Sequence, residues 1–285
     1  MNTNLIHIYN TTQNQILWCT DEYYNAFDLT MQKYLKDGFD FSGMSSAQPL
    51  PYVKVGDIAI VDFSGFTVNN CSDDAADCLG LCSLQTFCNN LEQAVSDDSV
   101  SKVVINFDSG GGQDSYGDET CALVKELSEI KPIYAYTSTF MCSMAYAVAV
   151  NCTELVGSPS AFIGSIGCMV TNITLNATYT SNYSGSMTMA ITPDKIIKTF
   201  QGGALKTVGS SKVPLTPEQE QSIVDNMKQE LASFQTLVTD NRGDVDEADM
   251  QGQSFRVKDA MEQDTNLMDG MENSLNDFIQ TLLLQ

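Results

Sequence analysis

The chain contains one histidine, His7, in 285 residues, and that scarcity excludes more than any residue present. A Ser-His-Asp triad, or a metal site built on several imidazoles, needs ring nitrogens that its motifs do not have, so neither is expected. Basic residues are also few, 14 Lys and Arg against 36 Asp and Glu, which gives a formal charge of −22. Phosphate contacts need clustered cations, so nucleic acid is not an expected partner. No apolar run approaches the roughly 20 residues of a membrane span. The first residues, MNTNLIHIYNTTQNQ, have neither a basic start nor an apolar segment, so no signal peptide or stable membrane anchor is expected and a cytoplasmic location is. Nine cysteines at irregular spacing suggest reduced thiols. Cys71, Cys78, Cys82 and Cys88 lack the paired spacing of a zinc site and have no histidine nearby, so neither metal nor cofactor is expected.

The remaining sequence alternates strand-like and helix-like segments. Residues 1–50 read as an N-terminal helical appendage and linker: Thr20 before Asp21 and Glu22 marks a helix start, Tyr24, Phe27, Met31 and Leu35 form an apolar stripe, and 39–51 is rich in Ser, Gly, Gln and Pro. Strands are expected at 55–63, 103–107, 133–136, 154–157 and 162–170, with helices at 79–94, 116–130 and after residue 143. This order favours an α/β fold with parallel strands and helical crossovers. Residues 171–195, polar and uncharged in their first part, read as an insertion loop. Thr216-Pro217-Glu218-Gln219 is a capping box that starts a long amphipathic helix ended by Gly243. A last helix, 271–285, carries an apolar face (Leu275, Phe278, Ile279, Leu282) suited to a partner subunit.

The centre of the pattern is Lys131–Val170, where a strand runs through small polar residues into Phe140-Met141-Cys142-Ser143 and then a short apolar helix. A serine at the first turn of a buried helix sits beside free N–H groups and the positive end of the dipole, which suits a nucleophile; the plainer alternative is a capping serine. Two neighbours favour the nucleophile: the turn Asp108-Ser109-Gly110-Gly111-Gly112 upstream, and Gly164-Ser165-Ile166-Gly167-Cys168 downstream. With Cys142-Ser143-Met144-Ala145-Tyr146, these resemble the serine–lysine peptidases of the signal peptide peptidase A type, family S49 of the Clp/crotonase superfamily. The resemblance spans about 51–270, the expected peptidase domain, and implies a ββα superhelix. It implies Ser143 as nucleophile, Lys206 in Gly203-Ala204-Leu205-Lys206 as its base, and Ser165 as the hydroxyl that orients the lysine. It also implies an oxyanion hole made of the backbone N–H groups of Gly111, Gly112 and Met144.

For Lys206 to accept a proton near neutral pH its pKa must fall by about three units, roughly 4 kcal/mol, which a dry apolar pocket can supply. The chain departs from the family pattern at Gly110, where a proline is usual, at Met144-Ala145, where Gly-Gly is usual, and at Gln253-Ser254 in the tail. The S-x-A-Y form and the lack of an anchor resemble phage S49 capsid proteases. A phage or prophage head (capsid or scaffold) maturation protease is therefore the expected setting, in the host cytoplasm or the assembling prohead. The alternatives are a bacterial cytoplasmic signal-peptide-peptidase-like enzyme acting on signal-peptide remnants, a crotonase-type enzyme of coenzyme A thioesters, or a non-catalytic assembly subunit. The substrate is expected to bind as an added strand near Ile163–Val170 with a small or apolar residue before the scissile bond, and the family implies a homo-oligomer.

Overall fold

The computed structural model describes residues 16–37, 50–170 and 216–285. The expected linker up to residue 49 and the expected insertion at 171–195 lie outside the described residues. Strand β1 (Ile16–Cys19) leads into helix α1 (Asp21–Asp37). A hairpin of β2 (Val53–Val55) and β3 (Ile58–Ser64) is followed by β4 (Phe66–Val68), α2 (Asp73–Leu79), β5 (Leu81–Ser83) and α3 (Leu84–Ser96). Next come β6 (Lys102–Ser109), β7 (Gly111–Gln113) and α4 (Gly117–Ile130), then β8 (Ile133–Cys142), α5 (Met144–Ala149), β9 (Glu154–Gly157), β10 (Phe162–Gly164) and β11 (Met169–Val170). The rest comprises α6 (Pro217–Arg242), a 3-10 turn (Glu247–Asp249), β12 (Ser254–Arg256), α7 (Val257–Glu262), β13 (Gly270–Met271) and α8 (Leu275–Leu283).

Two units repeat one plan: a long strand, a short strand in a second sheet, then a helix, as in β6–β7–α4 and β3–β4 ahead of α3. This is the ββα arrangement of an α/β fold. The main sheet runs β12-β10-β8-β6-β3-β2, parallel from β10 to β3, with β9 on the first half of β8 and β13 beyond it. The second sheet runs β11-β1-β7-β4-β5.

Side chains alternate across the main sheet as the strand period requires. Val103, Ile105, Ile133 and Ala135 face the helical layer and join the large core; Val104, Tyr134 and Tyr136 face the opposite side. There they meet Phe278, Ile279 and Leu282 of α8. The apolar face expected to meet a second subunit is therefore buried on this chain's own sheet, and α8 begins at Leu275 behind its Ser274 cap rather than at 271.

Two other expectations shift for local reasons. The helix expected from residue 79 splits, because Gly80 turns left-handed (φ 63°) and Ser83 caps a new helix by accepting from the Thr86 N–H; residues 81–83 pair with β4 instead. The strand expected over 162–170 breaks after Gly164, since Ser165 has φ 52° and cannot continue an extended chain. The capping box holds: Thr216 accepts from the Gln219 N–H, the Gln219 side chain accepts from the Thr216 N–H, and Gly243 ends the helix.

At that end Arg242 grips the C-terminal segment. Both guanidinium NH groups donate to the Asp269 carboxylate at 2.8 Å, and Nε donates to the Asn266 carbonyl at 3.0 Å. Asp269 also accepts from the Leu155 N–H at 2.8 Å, so the pair ties α6 to β9. The Arg242 side chain is 8% exposed, which makes loss of its charge costly to the carboxylate left behind. Arg242→Ala should lower stability by about 2–3 kcal/mol in denaturant unfolding, whereas breaking the solvent-exposed Lys258–Glu262 pair should change it by less than about 0.5 kcal/mol.

Candidate active site

The parallel register brings the carboxyl ends of β6, β8 and β10 to one edge of the sheet, the usual location of a ligand site in such sheets. Cys142 pairs with Gly164, so the next residues, Ser143 and Ser165, leave adjacent strands side by side. The Ser143 N–H donates to the Gly164 carbonyl at 2.7 Å, and the Ser143 carbonyl accepts from Ala147 at 2.8 Å to start α5. Between these two bonds Ser143 is held at φ 56°, ψ −118°, a conformation that costs a non-glycine residue about 1–3 kcal/mol. Its hydroxyl is fully buried and has no hydrogen-bond partner among the described residues. An orphaned buried hydroxyl on a strained turn adds nothing to stability, and sites of that kind cluster where chemistry is done.

The glycine turn is braced from behind by Ser109, a residue the sequence reading passed over. Its buried hydroxyl donates to the Gly65 carbonyl at 2.7 Å and accepts from the Gly111 N–H at 3.1 Å. Gly111 has φ 93°; a Cβ there would run into the Trp18 carbonyl oxygen and stand 3.0 Å from both the Met144 nitrogen and the Ser143 Cβ. At Gly112 a Cβ would meet the Thr67 backbone at 2.5 Å. Both glycines are thus required by close approach of neighbouring backbone. Of the three expected oxyanion donors, Gly111 donates to Ser109, Gly112 lies in β7, and Met144 offers the first N–H of α5, which has no acceptor within its own helix.

Ser165 lies in a cleft of about 960 Å³ whose apolar lining includes Phe140, Phe162, Met169, Met227 and Leu231. Its N–H donates to the Gln253 carbonyl at 2.8 Å, so the tail strand β12, paired along β10, fixes the turn that carries it. Among the described residues no Asp or Glu lines the cleft and Lys228 does, although the chain as a whole is strongly acidic. Lys206 lies outside the described residues. Tyr146, two residues beyond Met144, sends its hydroxyl to the Leu267 carbonyl at 2.8 Å and locks α5 to the C-terminal segment.

Of the four cysteines considered as a group, Cys82 and Cys88 are buried, and burial is the main cause that pushes both thiols above their ordinary pKa. Among the described residues no cluster of His, Cys, Asp and Glu could hold a metal ion, and no helix is long and apolar enough to cross a membrane.

Asp114 follows β7, and burial, then the Glu230 charge and more weakly that of Asp118, raise its carboxyl from 3.8 to about 6. Burial, with Glu230 and Asp114, likewise raises the Cys168 thiol at the cleft wall to about 11. Because the folded chain holds the Asp114 proton more tightly than the unfolded chain does, the penalty is absent below pH 3.8 and complete above about 6. Asp114→Asn should therefore raise stability at pH 7.5 by roughly 1–2 kcal/mol and give no gain at pH 4, read from denaturant midpoints at the two pH values.

The model of peptidase family S49 matches residues 125–276, a span that holds Ser143, Ser165 and the Arg242–Asp269 pair. The head-tail preconnector protein GP5 of Enterobacteria phage P21 is 28% identical over 133 residues, 47% of this chain and 24% of that protein. A protein of Methanocaldococcus jannaschii named as a candidate protease is 26% identical over 157 residues, 55% of this chain and 47% of its own length. The chain thus spans about a quarter and about half of the lengths of these two relatives. Among solved structures, an enoyl-CoA hydratase/isomerase family protein from Silicibacter pomeroyi aligns over 82% of this chain and 79% of its own, at 11% identity and a TM-score of 0.45. With more than half of its length under the family model, the chain belongs to peptidase family S49.

Proposed function

We propose that this protein is a serine endopeptidase in which Ser143 attacks a peptide carbonyl and Lys206 takes the hydroxyl proton. Residues 51–270 are its catalytic domain. The observation that carries the proposal is the Ser143 hydroxyl itself, buried and without a partner among the described residues on a strained strand-to-helix turn within the span of the family match. In this reading the lysine returns the proton to the leaving amine. Water then hydrolyses the acyl-enzyme with the same lysine as base. The Met144 N–H stabilises the oxyanion, together with Gly112 or Gly111 once substrate is bound, and Ser165 orients the lysine. A cleft wall whose described residues include no carboxylate favours an amine that must lose its charge.

The similarity to a phage head-tail preconnector protein supports a setting in phage head assembly, with a capsid or scaffold protein as substrate and the assembling prohead as location. A homo-oligomer is part of the proposal, with the serine and lysine of one site drawn from one protomer or from two.

Wild type, Ser143→Ala and Lys206→Ala proteins should be compared for cleavage of a co-expressed capsid or scaffold protein and of a denatured test protein. Each substitution should lower turnover by at least about 10³-fold with the thermal melt preserved. For wild type, kcat/KM should rise with pH along a limb at about 7–8, where a desolvated lysine loses its proton. Turnover that survives Ser143→Ala would refute the proposal.

A further inference from the structure

Strand β1 stands inside the second sheet, antiparallel to β7 on one side and to β11 on the other. One of these neighbours belongs to the glycine turn and the other follows the Gly164–Gly167 turn, so the slot between them passes Ser143. Residues 16–19 fill it with backbone: Cys19 pairs with Gly111, Trp18 with Gly112, Leu17 with both Gln113 and Met169, and Ile16 with Val170. The chain just beyond is clamped to the same turn, because the Thr20 N–H donates to the Gly110 carbonyl at 3.0 Å and the Tyr23 ring covers Gly110. The Trp18 carbonyl oxygen, the Met144 nitrogen and the Ser143 Cβ converge on one face of Gly111. The backbone of β1 therefore passes close in front of the first N–H of α5 and the nucleophile's own carbon.

The side chains of β1 alternate as a strand requires. Leu17 and Cys19 join the small cluster around Tyr24, Phe27 and Met31 of α1, while Trp18 points the other way into the main core. There its indole stacks on Phe234 of α6, with ring centres 4.3 Å apart and planes within 3°. Its Nε1–H is buried and finds no acceptor among the described residues. A buried tryptophan usually satisfies that group, so the described residues of this pocket match the bulk of the ring but not its polar atom. Strand addition along Ile163–Val170 is narrowed by the same geometry, since β10 is already flanked by β8 and β12 and leaves β11 as the available edge.

Taking Ser143 as the nucleophile, we infer that the slot between β7 and β11 is the binding site for an extended polypeptide substrate. The pocket against Phe234 receives a large apolar side chain from the residue whose carbonyl is attacked, and residues 16–19 occupy both until a substrate strand displaces them. The chain thus carries its own occupant, and the residue before the scissile bond is large rather than small.

The test uses full-length protein bearing Ser143→Cys. Alkylation at position 143 by iodoacetamide, located by peptide mass spectrometry, reports uncovering of the site without any need for catalysis. Adding Trp18→Ala should speed that alkylation at least about tenfold, and Trp18→Phe, which keeps a ring and drops the orphaned N–H, should leave it unchanged or slower. A synthetic peptide of residues 14–21, NQILWCTD, in excess should slow alkylation of the Trp18→Ala protein, and the same peptide with aspartate in place of tryptophan should not. Equal rates in all three proteins would overturn the inference. Should Trp18→Ala fail to fold, hydrogen exchange on the unsubstituted chain decides: excess peptide must speed exchange of the amides of 17–19, and unchanged exchange contradicts the inference. If alkylation responds as expected while Ser143 in a Trp18→Ala protein stays inert to a fluorophosphonate, the strand site stands and the nucleophile assignment fails, so the two failures are told apart.

Discussion

The hydrogen bond from the Ser143 N–H to the Gly164 carbonyl holds the site together. It joins two parallel strands at the last residues they share and fixes the nucleophile candidate in a conformation that a serine would leave if released. The acceptor strand is secured in turn by β12, whose neighbour Gln253 accepts from Ser165. The helix that Ser143 opens is tied down by the Tyr146 hydroxyl on Leu267, two residues from the Asp269 that Arg242 grips. Residues 242–269 of the C-terminal segment therefore help brace the helix that Ser143 opens.

Charge is distributed so that the site escapes the acidity of the whole. Carboxylates are abundant elsewhere, and burial together with the Glu230 charge raises the Asp114 carboxyl and the Cys168 thiol. The lining of the cleft in front of Ser165 includes aromatic and thioether side chains and Lys228, and among the described residues no carboxylate. An amine entering such a place loses hydration, which lowers its pKa, and meets no described carboxylate that would oppose the shift.

Sequence pattern revealed β6, α4 and the first half of β8 because those strands are buried on both faces and read as unbroken apolar runs, as in Val103-Val104-Ile105, but it read Gly111-Gly112 only as a turn and not as the strand β7. It also revealed the α6 start, where the Thr216–Gln219 box is purely local. It missed what depends on distant partners. Ile16-Leu17-Trp18-Cys19 is a four-residue apolar run ahead of a helix cap, a strand signature too short to claim until β7 and β11 stand on either side of it. The α8 face gave no sign of whether its cover would be this chain or another, since amphipathicity is the same in both cases. Ser109 was legible only in part: a hydroxyl before a glycine turn is a common brace, but its acceptor, Gly65, lies 44 residues away.

The central claim is that one buried hydroxyl is activated by one lysine. The most direct measurement is to treat the folded, full-length protein with a fluorophosphonate and locate the adduct by peptide mass spectrometry, alone and with Lys206→Ala. The account predicts a single modified residue, Ser143, and loss of the adduct when the lysine is removed. An adduct at Ser165 or elsewhere, or one at Ser143 that forms as fast without the lysine, would contradict it.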